Sequence, residues 1–322
     1  MKLGVLDQMA QPKGVSAEET TDRTIELAQY VEALGYERYW FAEHHATKGL
    51  VSSSPEIMMA AVAAKTSKLK VGSGGILLPQ YSAYKVATQL FQLQALFPGR
   101  IEAGVGRSPG GTERIRSLLA DGKVNQLADY PEKLKDLIKF LRKDGRVRAA
   151  PRTEDAPNLF ALGLGENSAA LAGELGIGYV YGHFINQNRG KEAHQTYRAS
   201  FRKGFLNNPD KRSAIFVICG ETDEHAQELA ISQDVWLLHV EKGLDSRVPS
   251  IEEAKAKYFH DSEKEQMRKN RKRMIIGGPE KVKNELLLLS ERYQCNDWLI
   301  LTNMYDFEEK KQSYRRIMEL FS

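Results

Sequence analysis

The chain is poor in cysteine, in net charge and in long apolar runs. Its 322 residues include two cysteines, Cys219 and Cys295, far apart in apolar surroundings, which predicts buried free thiols in a reducing compartment. No apolar stretch approaches membrane-spanning length, and the N-terminus lacks a signal peptide's apolar region, so we expect a cytoplasmic protein without a membrane partner. Lys and Arg total 46 against 42 Asp and Glu, a net charge of +4 that gives nucleic-acid binding no compositional support.

Short apolar runs alternate with longer amphipathic segments along the chain. The predicted strands are residues 3–6, 38–42, 69–78, 101–105, 158–162, 178–181, 214–219 and 297–301. Eight strands alternating with helices favour a (β/α)8 TIM barrel, formed as a single domain by residues 1–322. The rival is a doubly wound open sheet, which usually carries a glycine-rich phosphate loop after its first strand. Residues 7–12 hold no glycine, so the barrel is favoured.

One polar segment, 241–273, interrupts this alternation before the last strand. An excursion of this length in a compact domain is typical of a lid or a disordered insertion, so we predict a mobile lid. It ends in a basic run, 268–273, which is usually a solvated face. The sharper alternative is a cationic cover over a phosphorylated cofactor.

The triplet Glu43-His44-His45 directly follows the aromatic strand at 38–42 and holds two of the seven histidines. Neighbouring side chains on an extended segment point to opposite sides, so one histidine can face a site while the other packs. A histidine at the end of a barrel strand suits proton transfer near neutral pH. The alternative is a structural pair bonded to the loop backbone. No metal site is expected, because the other histidines are scattered.

Two glycine-rich segments follow the next strands. Gly74 and Gly75 interrupt an apolar strand, which indicates either the close approach of a flat ligand or a tight bend. Arg107 lies in the loop 104–111 and offers a fork of donors to a phosphate or an electron-rich ring.

Two further loops complete the candidate residues. The turn 162–168 leads into a helix predicted to open at Asn167 or Ser168, where free N–H groups form either an anion site or a plain helix cap. His183 and Phe184 end the sixth predicted strand and form either a wall for a ring-shaped ligand or a cap on the core.

Taken together in this order, these segments resemble the bacterial luciferase-like flavin-dependent monooxygenases. The resemblance covers nearly the whole chain and is densest in residues 39–45, 71–79, 97–107 and 163–176. It implies a (β/α)8 barrel that binds reduced FMN at the carboxyl ends of its strands. Gly106 stands where the light-emitting subunit has a reactive cysteine, and His183 replaces a tryptophan, so neither light emission nor a long-chain aldehyde substrate is implied.

The resemblance also implies roles for individual residues. His44 and Glu43 are the expected catalytic residues, since His44 matches the active-site histidine and Glu43 lies beside it in the motif. Gly74-Gly75 matches a non-proline cis peptide beneath the flavin. Further cofactor-binding positions are Arg107, Leu164, Gly165, Ser168 and His183, with Leu164, Gly165 and Ser168 at the FMN phosphate.

The implied activity is a monooxygenase that uses reduced FMN and O2 on an unidentified small organic substrate, with a separate flavin reductase as partner. One alternative is a hydride-transferring oxidoreductase that uses F420, whose acidic tail the run 268–273 could meet. Another is a non-catalytic flavin-binding protein. Since family members commonly dimerise through early helices, a homodimer is expected, with an apolar face at 57–64 and 90–96.

Overall fold

The computed structural model describes residues 1–108, 110–122 and 127–322, and its described strands are all parallel. The strands are β1 (Lys2–Asp7), β2 (Arg38–Phe41), β3 (Lys70–Ser73), β4 (Ile76–Leu77), β5 (Ile101–Gly106), β6 (Asn158–Gly163), β7 (Gly178–Gly182), β8 (Lys211–Cys219), β9 (Met274–Gly277) and β10 (Asp297–Leu301). The predicted third strand is present as two pieces, β3 and β4.

The sheet closes on itself. β1 pairs with both β2 and β10, and β10 pairs with β8 from Trp298 opposite Ser213 to Leu301 opposite Phe216. This last pairing closes a ring of eight strands, which are β1, β2, β3, β5, β6, β7, β8 and β10, while β9 is added to the carboxyl-terminal half of β8. The predicted (β/α)8 TIM barrel is therefore confirmed.

Helices connect the strands and cover the barrel. They are α1 (Ala17–Leu34), α2 (Pro55–Lys65), α3 (Ala83–Leu96), α4 (Glu113–Leu119), α5 (Tyr130–Leu141), α6 (Glu166–Glu174), α7 (Gly190–Ser200), α8 (Asp223–Glu241), α9 (Ile251–Ala256), α10 (Asp261–Arg271), α11 (Pro279–Tyr293) and α12 (Phe307–Glu319). Residues 120–129 separate α4 from α5, and residues 123–126 among them lie outside the described part of the chain. None of the described helices is long and apolar enough to cross a membrane.

Strand β9 was not predicted from the sequence. It follows the polar segment directly and pairs with the carboxyl-terminal half of β8, from Met274 opposite Phe216 to Gly277 opposite Cys219. Its four residues are buried, although the basic run precedes them immediately. A run this short has too little periodicity to separate it from the flanking helices.

The segment 241–273 forms α9 and α10, which pack against α8. Arg271 pairs with Asp234 of α8 at 2.5 Å, and Arg273 pairs with Glu241 at 2.6 Å. Two arginines of the basic run are thus bound by acids of this outer layer. The helices and ion pairs do not fit a disordered insertion, and movement of this segment as a lid stays a prediction.

A buried ion network occupies the amino-terminal end of the barrel. Glu102 accepts two hydrogen bonds from Arg212, at 2.7 and 2.8 Å, and one from the indole of Trp40 at 2.8 Å. Arg38 lies 3.4 Å from Glu102 and donates to Asp297 at 2.5 Å. The indole of Trp40 also belongs to the apolar cluster inside the barrel, and it lies beneath Gly74 at the other end. Its hydrogen bond to Glu102 therefore fixes the position of this indole.

Candidate active site

The carboxyl ends of the parallel strands meet at one rim of the barrel. His44 follows β2, Gly74 and Gly75 follow β3, and Arg107 follows β5. Leu164, Gly165 and Ser168 follow β6. The fold therefore brings these predicted residues to one end of the barrel, where enzymes of this architecture carry their chemistry.

His44 and His45 point in different directions, as the alternation predicts. Trp40 and Ala42 belong to the cluster that fills the barrel, and the same alternation directs His44 to that side. The Nδ1 atom of His44 is buried and has no hydrogen-bond partner among the described residues. A buried polar atom without a partner is costly, so this nitrogen is available to a ligand.

Glu43 is 6% exposed and binds the neighbouring segment after β3, which includes β4. Its carboxylate lies 2.7 Å from Nε2 of His45 and accepts the N–H of Leu77 at 2.8 Å. The hydroxyl of Tyr81 also donates to it, and burial together with this carboxylate raises the pKa of Tyr81. Glu43 thus orients His45 rather than His44 and joins the loop after β2 to the segment after β3.

The Gly74–Gly75 peptide is cis. A Cβ atom on Gly74 would lie 2.5 Å from Leu6 and 3.3 Å from the Trp40 ring, and one on Gly75 would lie 2.8 Å from the carbonyl oxygen of Gly104. Side chains at either glycine would therefore collide with the barrel interior. The glycines allow close packing beneath this peptide, which forms a side-chain-free shelf at the rim.

Helix α6 begins at Glu166, one residue earlier than predicted, with Gly165 as its cap residue. The hydroxyl of Ser168 donates to the Gly165 carbonyl at 2.8 Å and does not cap the helix. No hydrogen bond among the described residues uses the N–H groups at 166–168 as donors. The first turn of a helix attracts anions. The N–H groups at 166–168 therefore form an anion corner with three hydrogen-bond donors.

Arg189 is a candidate that the sequence analysis missed. It pairs with Glu166 at 3.3 Å, and a Cβ atom on Gly165 would lie 3.6 Å from its Cδ atom. It reaches α6 from the next βα unit, where it directly precedes α7. Nothing in the local sequence indicates that its side chain turns back to the preceding helix, so only the fold identifies it.

Arg107 is exposed and has no acidic partner within the described ranges. Its charge acts on Tyr130, whose pKa is raised by burial and partly restored by this arginine. Arg107 lies in the loop after β5, the strand that pairs with β6. Pro109, in the same loop, lies outside the described residues.

His183 lies in a different layer from the other candidates. Its Nδ1 atom is 2.9 Å from the hydroxyl of Tyr293, in the layer between the barrel and α11. The next residue, Phe184, packs against Phe216 of the cluster inside the barrel, with ring centroids 5.5 Å apart. Strand alternation after β7 therefore turns Phe184, and not His183, toward the barrel interior.

Three histidines with buried ring nitrogens or buried side chains, His44, His183 and His194, are held neutral. Burial and the neighbouring His45 lower the pKa of His44 to about 4. Burial, with the charge of Arg292, lowers the pKa of His183 to about 4, and burial, with the charge of Lys211, lowers that of His194 to about 3. At neutral pH the imidazole of His44 can therefore accept a proton.

These histidines predict a loss of stability in acid. Each is neutral in the folded state below its ordinary pKa of 6.5, while the unfolded chain binds the proton. Stability should therefore fall as the pH drops from about 6.5 toward 4, by up to about 1.4 kcal/mol per histidine per pH unit. Urea unfolding at pH 7, 6 and 5 measures the slope.

The matched variants are His194→Gln and His260→Gln. Replacing the buried His194 should flatten the slope, whereas replacing the exposed His260 should leave it unchanged. Equal slopes in all three proteins would contradict the assignment of buried neutral histidines.

No group of three or more His, Cys, Asp or Glu side chains within the described ranges is arranged to hold a metal ion. The described groups at the rim are an imidazole, a glycine shelf and an anion corner.

The chain as a whole is similar to the members of one protein family. The profile of the luciferase-like monooxygenases matches residues 1–293. YceB of Bacillus subtilis is 53% identical, with 99% of each chain covered. The N-acetyl-S-alkylcysteine monooxygenase of the same organism is 34% identical over 99% of this chain and 98% of its own.

Solved structures agree. The crystal structure of apo-MsnO8 superposes with a TM-score of 0.92 at 33% identity, covering 99% of this chain and 98% of that one. The fold alone is shared with the oxygenating constituent of 3,6-diketocamphane monooxygenase from Pseudomonas putida in complex with FMN (TM-score 0.73, 19% identity, 99% and 97% covered). It is likewise shared with an F420-dependent secondary alcohol dehydrogenase (TM-score 0.68, 14% identity, 100% and 99% covered). The chain belongs to the luciferase-like monooxygenase family.

Proposed function

We propose that this protein is a monooxygenase that binds reduced FMN at the rim of the barrel and uses O2 to oxygenate a small organic substrate. The observation that carries the proposal is the position of His44. Its buried, unpaired Nδ1 atom lies at the same end of the barrel as the Gly74–Gly75 shelf and the open first turn of α6.

The residues at the rim fit a flavin mononucleotide. The N–H groups at 166–168, with Arg189 beside them, suit a phosphate group, and Arg107 lies in the loop after the neighbouring strand β5. The side-chain-free shelf suits a flat ring, and His44 supplies an unused hydrogen-bonding atom. Reduced flavin, when bound, supplies the electrons that activate O2.

The protein's own groups then have distinct roles. His44 is neutral at pH 7 because its pKa is about 4, so it can accept a proton from the reacting groups and return it. Glu43 is a positioning residue, because its contacts with His45, Leu77 and Tyr81 hold the loops that carry His44 and the shelf. The apolar cluster beneath the rim keeps water from this end of the barrel.

The similar proteins support a monooxygenase over a reductase. The 34% identical relative is a monooxygenase of N-acetyl-S-alkylcysteines, which makes those thioethers the first compounds to assay. An F420-dependent oxidoreductase is the alternative, supported by fold likeness alone. Arg271 and Arg273, which could have met its acidic tail, are bound by Asp234 and Glu241. Titration of the protein with FMN and with F420 separates them, since the alternative requires tighter binding of F420.

The direct test of the activity is product analysis. The protein is incubated with a flavin reductase, NADH, FMN, a panel of N-acetyl-S-alkylcysteines and isotopically labelled O2. One labelled oxygen atom per product molecule is expected. Consumption of NADH and O2 without labelled product from any compound would remove the thioether substrates, and the absence of FMN binding would remove the FMN-dependent monooxygenase itself.

Arg189 gives a prediction specific to the phosphate corner. Arg189→Gln should weaken the binding of FMN roughly tenfold, because a charge-assisted hydrogen bond contributes about 1.5–3 kcal/mol. Riboflavin lacks the phosphate, so its affinity should not change. Fluorescence titration measures both ligands, with Arg315→Gln on the exposed face of α12 as the control. Equal weakening of FMN and riboflavin would show that Arg189 acts on the fold and not on the phosphate.

We also propose a homodimer through the apolar face of α2 and α3. Ile57 is 68% exposed and Leu96 is 56% exposed, and both belong to the predicted face. Sedimentation at micromolar concentration should give twice the chain mass of 36.3 kDa, and Ile57→Asp should shift the protein toward the monomer. A wild-type monomer under these conditions would rule the dimer out.

A further inference from the structure

The outer helices of the barrel form a positively charged cleft. A cleft of about 390 Å³ is bounded by α7, α11 and the first residue of β8, Lys211. None of the rim residues described above lines it. Its volume is within the range of small-molecule sites, roughly 300–1,000 Å³. A further cavity, lined by residues of α1 and α12, holds about 30 Å³ and fits little more than one water molecule.

Four cations line this cleft, namely Lys191, Arg198, Lys211 and Arg292. None of them forms an ion pair with the described part of the chain, and Glu291 is the one acid among the lining residues. Arg292 and Arg198 lie in the last turns of their helices, where cations are favoured. Lys191 is in the first turn of α7, where a cation is disfavoured, so the helix does not account for it.

The positive field of this cleft acts on its neighbours. Burial lowers the pKa of Lys211, and the charge of Arg198 lowers it further. Lys211 in turn adds to the effect of burial on His194, whose pKa is about 3. His194 forms part of the lining of the cleft. Its Nε2 atom forms a hydrogen bond of 2.8 Å with the hydroxyl of Ser213, and its buried Nδ1 atom has no partner in the described residues.

We propose that the cleft between α7 and α11 is a second binding site, for a small anion that carries at least two negative charges. The mutual repulsion of four unpaired cations is relieved when a polyanion lies between them, whereas a single charge can meet only one or two. Phosphate and carboxylate groups share this chemistry. A bounded cleft of this size between two helices suits a small molecule rather than the extended surface of a macromolecule.

The test is calorimetric titration at constant ionic strength with pyrophosphate, citrate, inorganic phosphate and acetate. Pyrophosphate or citrate should bind, and acetate should not. Binding of pyrophosphate alone would identify phosphate groups as the source of the charge, and binding of citrate alone would identify carboxylates. The titration is repeated in the presence of saturating FMN, which should leave the affinity unchanged.

Variants locate the site. Lys191→Gln and Arg198→Gln should each weaken binding roughly tenfold, because each removes one charge-assisted contact. Lys269→Gln, an equal loss of charge on exposed α10, should have no effect, and neither should Arg189→Gln at the rim. The proposal is wrong if no polyanion binds, if FMN competes with it, or if Lys269→Gln weakens binding as much as Lys191→Gln. A failure of every polyanion to bind would not bear on whether the rim binds FMN.

Discussion

Replacing His44 with alanine is expected to reduce the rate of substrate oxygenation roughly 100- to 10,000-fold, the usual contribution of a positioned acid–base group. The reason is that His44 carries the buried, unpaired Nδ1 atom at the rim and is neutral at pH 7. Affinity for FMN should change much less, because the phosphate corner is formed by other residues. Steady-state turnover and FMN titration of the purified variant measure the two effects separately.

The matched control is His45→Ala. His45 binds Glu43 at 2.7 Å and points away from the side that His44 faces, so its removal should lower turnover by a smaller factor. Exposed His260→Ala should have no effect. If His45→Ala abolished turnover and His44→Ala left it intact, the assignment of the two histidines would be reversed.

Glu102→Gln is expected to lower the free energy of unfolding by about 3–5 kcal/mol, the usual result of breaking a buried ion pair. Burial alone would raise the pKa of Glu102, but the charges and hydrogen bonds of Arg212, Arg38 and Trp40 lower it to about 2. The variant keeps the size of the side chain and leaves two buried guanidinium groups with less compensating charge. Urea unfolding at pH 7 measures the change.

Glu132→Gln is the control for this variant. Glu132 pairs with Lys135 on the exposed face of α5, so its replacement should change the free energy of unfolding by less than about 1 kcal/mol. A small effect of Glu102→Gln, comparable with that of Glu132→Gln, would show that the network is not needed for stability.

Much of the barrel follows from the sequence because each strand is short, apolar and bounded by a helix start. Ser16 is an example, since its hydroxyl accepts the N–H of Glu19 at 3.1 Å and α1 begins at the next residue. The separation of His44 from His45 was predictable for the same local reason, the alternation of an extended chain. The cis Gly74–Gly75 peptide was implied by the family resemblance, not by composition.

The remaining features depend on contacts between distant segments. Arg189 reaches α6 from another βα unit, and β9 acquires its pairing partner only when the barrel forms. His183 and Phe184 lie together at the end of β7, and only their contacts with Tyr293 and Phe216 show that Phe184 faces the barrel interior. The contacts of Glu43 with Leu77 and Tyr81 likewise depend on which loop lies beside the segment after β2, so the sequence alone did not predict them.

The most direct test of the flavin assignment is rapid mixing of the protein–reduced FMN complex with O2, followed by the flavin spectrum. Reoxidation slower than that of free reduced FMN is expected, with a resolved phase whose spectrum belongs to neither reduced nor oxidised FMN. In His44→Ala this phase should be shortened or lost. Reoxidation at the rate of free flavin, with no such phase and no difference between wild type and His44→Ala, would contradict the account.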